Sequence, residues 1–206
     1  MVDYRGFGDS EGYMTEPGML RDAEAIFSYV LSMPEINPYK IIVFGAALGG
    51  VPATHVAYNH QEKVRALILQ NASPGVIYEW NKLFYFIKPI IPYIASLDLD
   101  IEKYISNLAI PVLFIKGLKD DMICKNGTNV LFEASRNSVY RKLHEVEDAD
   151  HYSPWYHGGE LYEHIMTDFI EYCMMTPVQQ SSEARLKKLH EEKDNQKLTT
   201  EVNEDL

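Results

Sequence analysis

The chain predicts an α/β fold, a mostly parallel sheet flanked by helices, in one domain with a tail. Three observations carry this. Apolar runs of strand length alternate with helical periods in the order strand, helix, strand, which is the pattern of a βαβ unit and a parallel sheet. The run Ile41-Ile42-Val43-Phe44 ends at Gly45 and passes at once into Ala46-Ala47-Leu48-Gly49-Gly50, the outline of a sharp strand-to-helix turn. Finally, 206 residues with 46% hydrophobic and 24% charged composition suit one buried core better than two.

Taken in order, Val2-Asp3-Tyr4 reads as the last residues of a strand, followed by the glycine-punctuated loop Arg5-Gly6-Phe7-Gly8-Asp9-Ser10-Glu11-Gly12. Met19, Ala23, Ile26, Phe27, Val30 and Leu31 give residues 16–33 a helical period, which Pro34 and Pro38 end. A strand over 41–44 leads through the turn into a helix over 49–60, and 64–69 is a second buried strand ending in Asn71-Ala72-Ser73-Pro74-Gly75. Residues 76–106 contain an aromatic and aliphatic stretch broken by Lys88, Pro89 and Pro92, the composition of a small lid or crossover; a buried crossover is preferred to a membrane-surface segment. A strand over 110–115 carries Pro111 near its start, where proline is tolerated. A helix over 130–135, a strand over 140–146 and an amphipathic helix over 161–173 complete the domain, taken as residues 1–176. Residues 177–206 lack aromatics and mix both charges, so they read as a solvated, disordered tail, with a passive role preferred to partner binding.

Composition excludes several functions. A net charge of −11 opposes broad attraction to nucleic acid or anionic lipid. The two cysteines, Cys124 and Cys173, suggest neither a disulfide framework nor a metal site, and a reducing compartment is the simpler expectation. No apolar run is long enough to cross a membrane, and the N-terminus has no signal-peptide pattern. The seven histidines show no metal-ligand spacing; His55 and His60 are expected on a helix surface. The glycines at 45–50 lack the dinucleotide-binding spacing, so no cofactor is expected.

Catalytic groups of a parallel sheet collect in loops at the carboxyl ends of its strands. Three such loops present Ala47, Asp120 and His151, in the chain order nucleophile, acid, histidine. The turn has the frame of a nucleophile elbow, G-x-S-x-G, but Ala47 stands at its centre. The motif Asp3-Tyr4-Arg5-Gly6-Phe7-Gly8-Asp9-Ser10-Glu11-Gly12, the turn Gly45 to Gly50, Gly117-Leu118-Lys119-Asp120, and the loop from His151 to Trp155 together resemble the α/β-hydrolase superfamily, and closely its bud-emergence-protein-like branch. The resemblance covers roughly residues 1–173. It implies His151 as general base, Asp120 as the acid orienting it (Asp121 is the competing candidate), and the Leu48 N–H as one oxyanion-hole donor.

Two departures qualify what the resemblance implies. With Ala47 in place of serine, no acyl-enzyme forms by the usual route, and loss of the serine from a triad costs on the order of 10⁶ in kcat, or about 8 kcal/mol of barrier. The family also has strands before the Asp-Tyr-Arg-Gly motif; one of them neighbours the elbow strand, and a loop after one of them donates the other oxyanion N–H. Their absence from this chain suggests a fragment, leaves the 41–44 edge unpaired, and implies that restoring serine alone gives a poor enzyme. The expectation is therefore a relative of serine hydrolases acting on acyl ester, thioester or amide bonds, inactive or severely impaired, with a pocket for an apolar or acyl ligand. Tyr78, Trp80, Phe84 and Tyr85 are candidates for that pocket, though core packing is the preferred reading for them. The alternative is a non-catalytic interaction or regulatory protein on the same scaffold. A substitute nucleophile, Ser73 or Cys124, is the weakest reading. The chain itself is expected in the cytoplasm, and a full-length form anchored to membrane.

Overall fold

The computed structural model describes residues 2–75, 101–123 and 126–175. The expected lid or crossover, apart from residues 101–106, together with Cys124 and the tail, lies outside the described residues. Strands β1 (Ile41–Ala46), β2 (Val64–Gln70), β3 (Val112–Gly117) and β4 (Arg141–Val146) form one sheet in the order β1-β2-β3-β4, every neighbouring pair parallel. The helices are α1 (Glu16–Ser32), α2 (Gly50–Asn59), α3 (Glu102–Ile105), α4 (Gly127–Ala134) and α5 (Pro154–Met175), the last broken at Gly159, whose φ is 48°.

Sequence explains these elements locally. Thr15 caps α1 by accepting the Gly18 N–H at 3.2 Å, with Pro17 in the first turn where no N–H is needed. The central strands β2 and β3 are buried along nearly their whole length, as continuous apolar runs in a sheet covered on both faces should be. Alternation then divides two cores. Leu67, Leu69, Val112 and Phe114 face α1, α2 and α3, whereas Ala66, Ile68, Leu113 and Ile115 face Ile165, Phe169 and Cys173 of α5. Burial pushes the Cys173 thiol up to about 12, which keeps it a packing residue. Strand β1 is an edge of the described sheet, with Phe44 47% exposed.

Two sequence readings need correction. Residues 2–4 form no strand; Asp3 instead serves its own loop, its carboxylate accepting the Asp9 N–H at 3.2 Å and its carbonyl accepting the Ser10 hydroxyl at 2.8 Å. His55 and His60 are not free surface residues. Their Nε2 atoms lie 3.1 and 2.7 Å from the two oxygens of Glu24, so they tie α2 to α1.

Candidate functional site

At the carboxyl end of β1 the backbone turns directly into α2. A Cβ at Gly45 would stand 2.6 Å from the Gly49 carbonyl oxygen and 2.7 Å from Ala53 Cβ, so glycine is what lets helix and strand come this close. Ala47 takes φ 48°, a left-handed conformation uncommon for a residue with a Cβ. Leu48 follows in the short turn Ala47–Gly49, among the amides that a helix start directs outward, and its side chain is 42% exposed.

The loop after β3 carries Asp120, 5% exposed. Its approach is fixed by backbone bonds: Leu118 N–H to the Val146 carbonyl at 3.0 Å and Lys119 N–H to the Ala149 carbonyl at 2.9 Å. Asp120 Oδ1 accepts the N–H groups of Met122 and Ile123 at 2.9 and 3.2 Å. Its other oxygen, Oδ2, lies 2.7 Å from His151 Nδ1. A carboxylate only accepts, so Nδ1 carries the proton and donates, leaving Nε2 as the ring's basic nitrogen. Asp121 is exposed and is not the partner of this imidazole.

His151 is 9% exposed, on the loop after β4, and the Tyr152 ring meets it edge-on at 5.0 Å. Asp150 shapes the loop: its Oδ1 accepts the Tyr152 N–H at 2.9 Å and the Ser153 hydroxyl at 2.6 Å. These bonds, the Ser153 hydroxyl foremost, hold the Asp150 carboxyl below the usual range. All three loops leave the carboxyl end of one parallel sheet. Ala46 pairs with Gln70, so Ala47 and Asn71 leave adjacent strands side by side, and the Asn71 side chain donates to the carbonyls of Asp150 and His151 at 3.2 and 2.9 Å. The histidine loop, which starts from the far strand β4, is thereby held beside the end of β2, the strand that pairs with β1.

Of the remaining candidates, Ser73 is half-buried in the loop after β2. Tyr78, Trp80, Phe84, Tyr85 and Cys124 lie outside the described residues. Among the described residues no group of three or more His, Cys, Asp or Glu is placed to hold a metal ion, and no helix is long and apolar enough to cross a membrane. Sequence reasoning passed over Asn71. The available signal was an asparagine directly after a buried strand, a residue type that tolerates positive φ and can bond backbone with its side chain.

The sequence model of the family described as alpha/beta hydrolase fold matches residues 1–100. The alpha/beta hydrolase domain-containing protein WAV2 of Arabidopsis thaliana is 30% identical over 183 residues, covering 83% of this chain and 59% of WAV2. Protein bem46 of Schizosaccharomyces pombe is 25% identical over 181 residues, covering 82% of this chain and 56% of its own length. The chain thus spans under three-fifths of the length of these relatives. An esterase from Pyrococcus furiosus superposes with a TM-score of 0.65 at 16% identity, over 84% of this chain and 68% of the esterase, a likeness of fold. The chain has the α/β-hydrolase fold, and the relatives it matches are α/β-hydrolase-domain proteins of the bud-emergence-protein kind.

Proposed function

We infer that the chain is a serine-hydrolase scaffold whose acid–base pair is in place and whose nucleophile is not. The observation that carries this reading is the buried 2.7 Å bond between His151 Nδ1 and Asp120 Oδ2, at the same carboxyl end of the parallel sheet as the left-handed strand-to-helix turn centred on Ala47. In this reading Asp120 fixes the imidazole tautomer and stabilises its protonated form, and His151 Nε2 is the base facing position 47. The Leu48 N–H is one oxyanion donor, favoured by the positive end of α2 behind it. Ala47 supplies no hydroxyl, so proton removal by His151 has no nucleophile to generate at this position, and acyl transfer stops before its first bond forms. The chemistry for which the scaffold is arranged is cleavage of acyl ester, thioester or amide bonds. Retained binding of an apolar or acyl ligand fits the exposed side chains of Leu48, Leu118, Met122 and Tyr152 on the same loops.

The test is an Ala47→Ser variant treated with a fluorophosphonate probe. The parent chain is expected to stay unlabelled, and the variant to take up the probe covalently at position 47. Adding His151→Ala should reduce labelling by roughly a hundredfold or more, the scale of general-base catalysis. A folded Ala47→Ser chain that takes up no probe would overturn the assignment, as would ester hydrolysis by the parent that survives His151→Ala.

A further inference from the structure

We propose that Asn71 is a positioning residue for the Asp120–His151 pair, acting by clamping both of their loops to the end of β2. The proposal rests on the reading of positions 47, 120 and 151 given above. Asn71 is 1% exposed, and its side-chain amide bonds the backbone of two distant segments. Its Oδ1 accepts the Gly117 N–H at 2.8 Å, at the root of the loop that carries Asp120. Its Nδ2 donates both hydrogens to the histidine loop, to the carbonyls of Asp150 at 3.2 Å and of His151 itself at 2.9 Å. Its backbone N–H donates to the Ile115 carbonyl at 2.9 Å, which anchors the residue to β3 before the side chain branches.

The side chain therefore joins the base of the acid's loop to the peptide of the histidine through one planar group. A hydrogen bond weakens steeply with misalignment. A shift of either loop would therefore be felt at the Nδ1–Oδ2 bond. The residue type is matched to this task. Aspartate could accept from Gly117 but could not donate to two carbonyls, and serine has a single hydrogen to give. Glutamine would carry the amide one methylene too far. The backbone adds a further constraint: Asn71 has φ 45°, the left-handed region that asparagine tolerates better than most residues. Because Ala46 pairs with Gln70, the clamp acts at the level of position 47. It ties the histidine loop, which leaves the far strand β4, to the end of β2.

The experiment is nuclear magnetic resonance of the full chain labelled with ¹⁵N-histidine. The parent should show a low-field proton on His151 Nδ1 and an unprotonated Nε2; Asp120→Asn should abolish that signature. Asn71→Gly keeps the positive φ and deletes the clamp, whereas Asn71→Asp keeps the shape and removes both donors. In each, the low-field proton should vanish and the tautomers should mix, and in the Ala47→Ser background probe labelling should fall by about ten- to a hundredfold. If Asp120→Asn removes the signature while both Asn71 variants retain it, the positioning role is wrong and the underlying site reading stands. If the parent lacks the signature, or Asp120→Asn leaves it unchanged, both fall together. Failure of both Asn71 variants to fold would also overturn the proposal, since the residue would then be holding the domain and not the pair.

Discussion

The two ends of the site are built by different physics. On the β3–β4 side Asp120 and His151 are nearly buried, and each is fixed by polar bonds to backbone or side chain: Asp120 to two amides and the imidazole, His151 to Asp120 and, through its carbonyl, to Asn71. On the β1 side Phe44 and Leu48 are 47% and 42% exposed, and the shape of the turn is set by the steric fit of Gly45 against Gly49 and Ala53. A polar network loses its function when any member is changed. A turn held by backbone contacts does not depend on the side chain at its centre. Serine and alanine can thus exchange at position 47 with little effect on the fold, while exchanges at 120 or 151 leave buried partners unsatisfied. On the proposed reading, position 47 is therefore the place where a side chain can change with least effect on the rest of the fold.

The comparison can be broken at several points. The largest expected effect is on the β3–β4 side. A Cβ at Gly117 would lie 2.6 Å from the carbonyl oxygens of both Ala149 and Asp150, so Gly117→Ala must push the histidine loop away. It should cost about 3 kcal/mol in urea denaturation; a cost below about 0.5 kcal/mol, the level of an ordinary surface change, would show that this side is not tightly held. On the β1 side the sign should reverse. Ala47→Gly relieves a left-handed conformation that costs roughly 1–2 kcal/mol and adds unfolded-chain entropy that takes back about 0.4–1 kcal/mol. A net gain of about 0.5–1 kcal/mol is expected from these two terms, and a clear loss would mean that the Ala47 side chain is part of what holds the turn.

The smallest effect serves as a control outside both ends. Asp22 accepts from the Arg5 backbone at 3.0 Å and from its guanidinium at 2.9 and 2.6 Å, tying the N-terminal loop to α1. That side-chain hydrogen bond, foremost, holds the Asp22 carboxyl below its ordinary range. Since the folded-state value is the lower one, this stabilisation is fully present above the unfolded value of about 4 and is lost as pH falls through the folded value. Asp22→Asn should therefore be slightly less stable at neutral pH and should lose less stability on acidification below about pH 4. The pair is partly exposed, so the difference should be small. A parent and variant with parallel acid limbs would remove Asp22 from the account.

Much of this was legible in the chain because fold-level signals are local. Runs such as Ile110 to Ile115, and turns opened by glycine, locate strands and their carboxyl ends without knowledge of their neighbours. The family resemblance implied Asp120 with Asp121 as its competitor, and it is Asp120 whose carboxylate lies 2.7 Å from the imidazole. Asn71 was not legible as a clamp, because its partners Gly117, Asp150 and His151 lie 46, 79 and 80 residues away and only the folded sheet brings them together. Residues 2–4 misled for the opposite reason. Their composition suits a strand, but a strand also needs a paired neighbour, and Asp3 bonds its own loop instead. His55 and His60 were placed on a surface because no local signal reports that Glu24 of another helix waits opposite them.

The bond from the Gly117 amide to the Asn71 side chain has a consequence in time as well as in space. That amide sits at the last residue of a central strand, and the loops beyond it are tied back to the same strand ends. Amides held in this way exchange with solvent only when a whole cooperative unit opens. The amides of Gly117 and Lys119 should therefore exchange at the slow pace of β2 and β3, while those of Ala47 and Leu48 exchange orders of magnitude faster. On that clock Asp120 and His151 belong to the core of the protein, and the turn at Ala47 belongs to its surface.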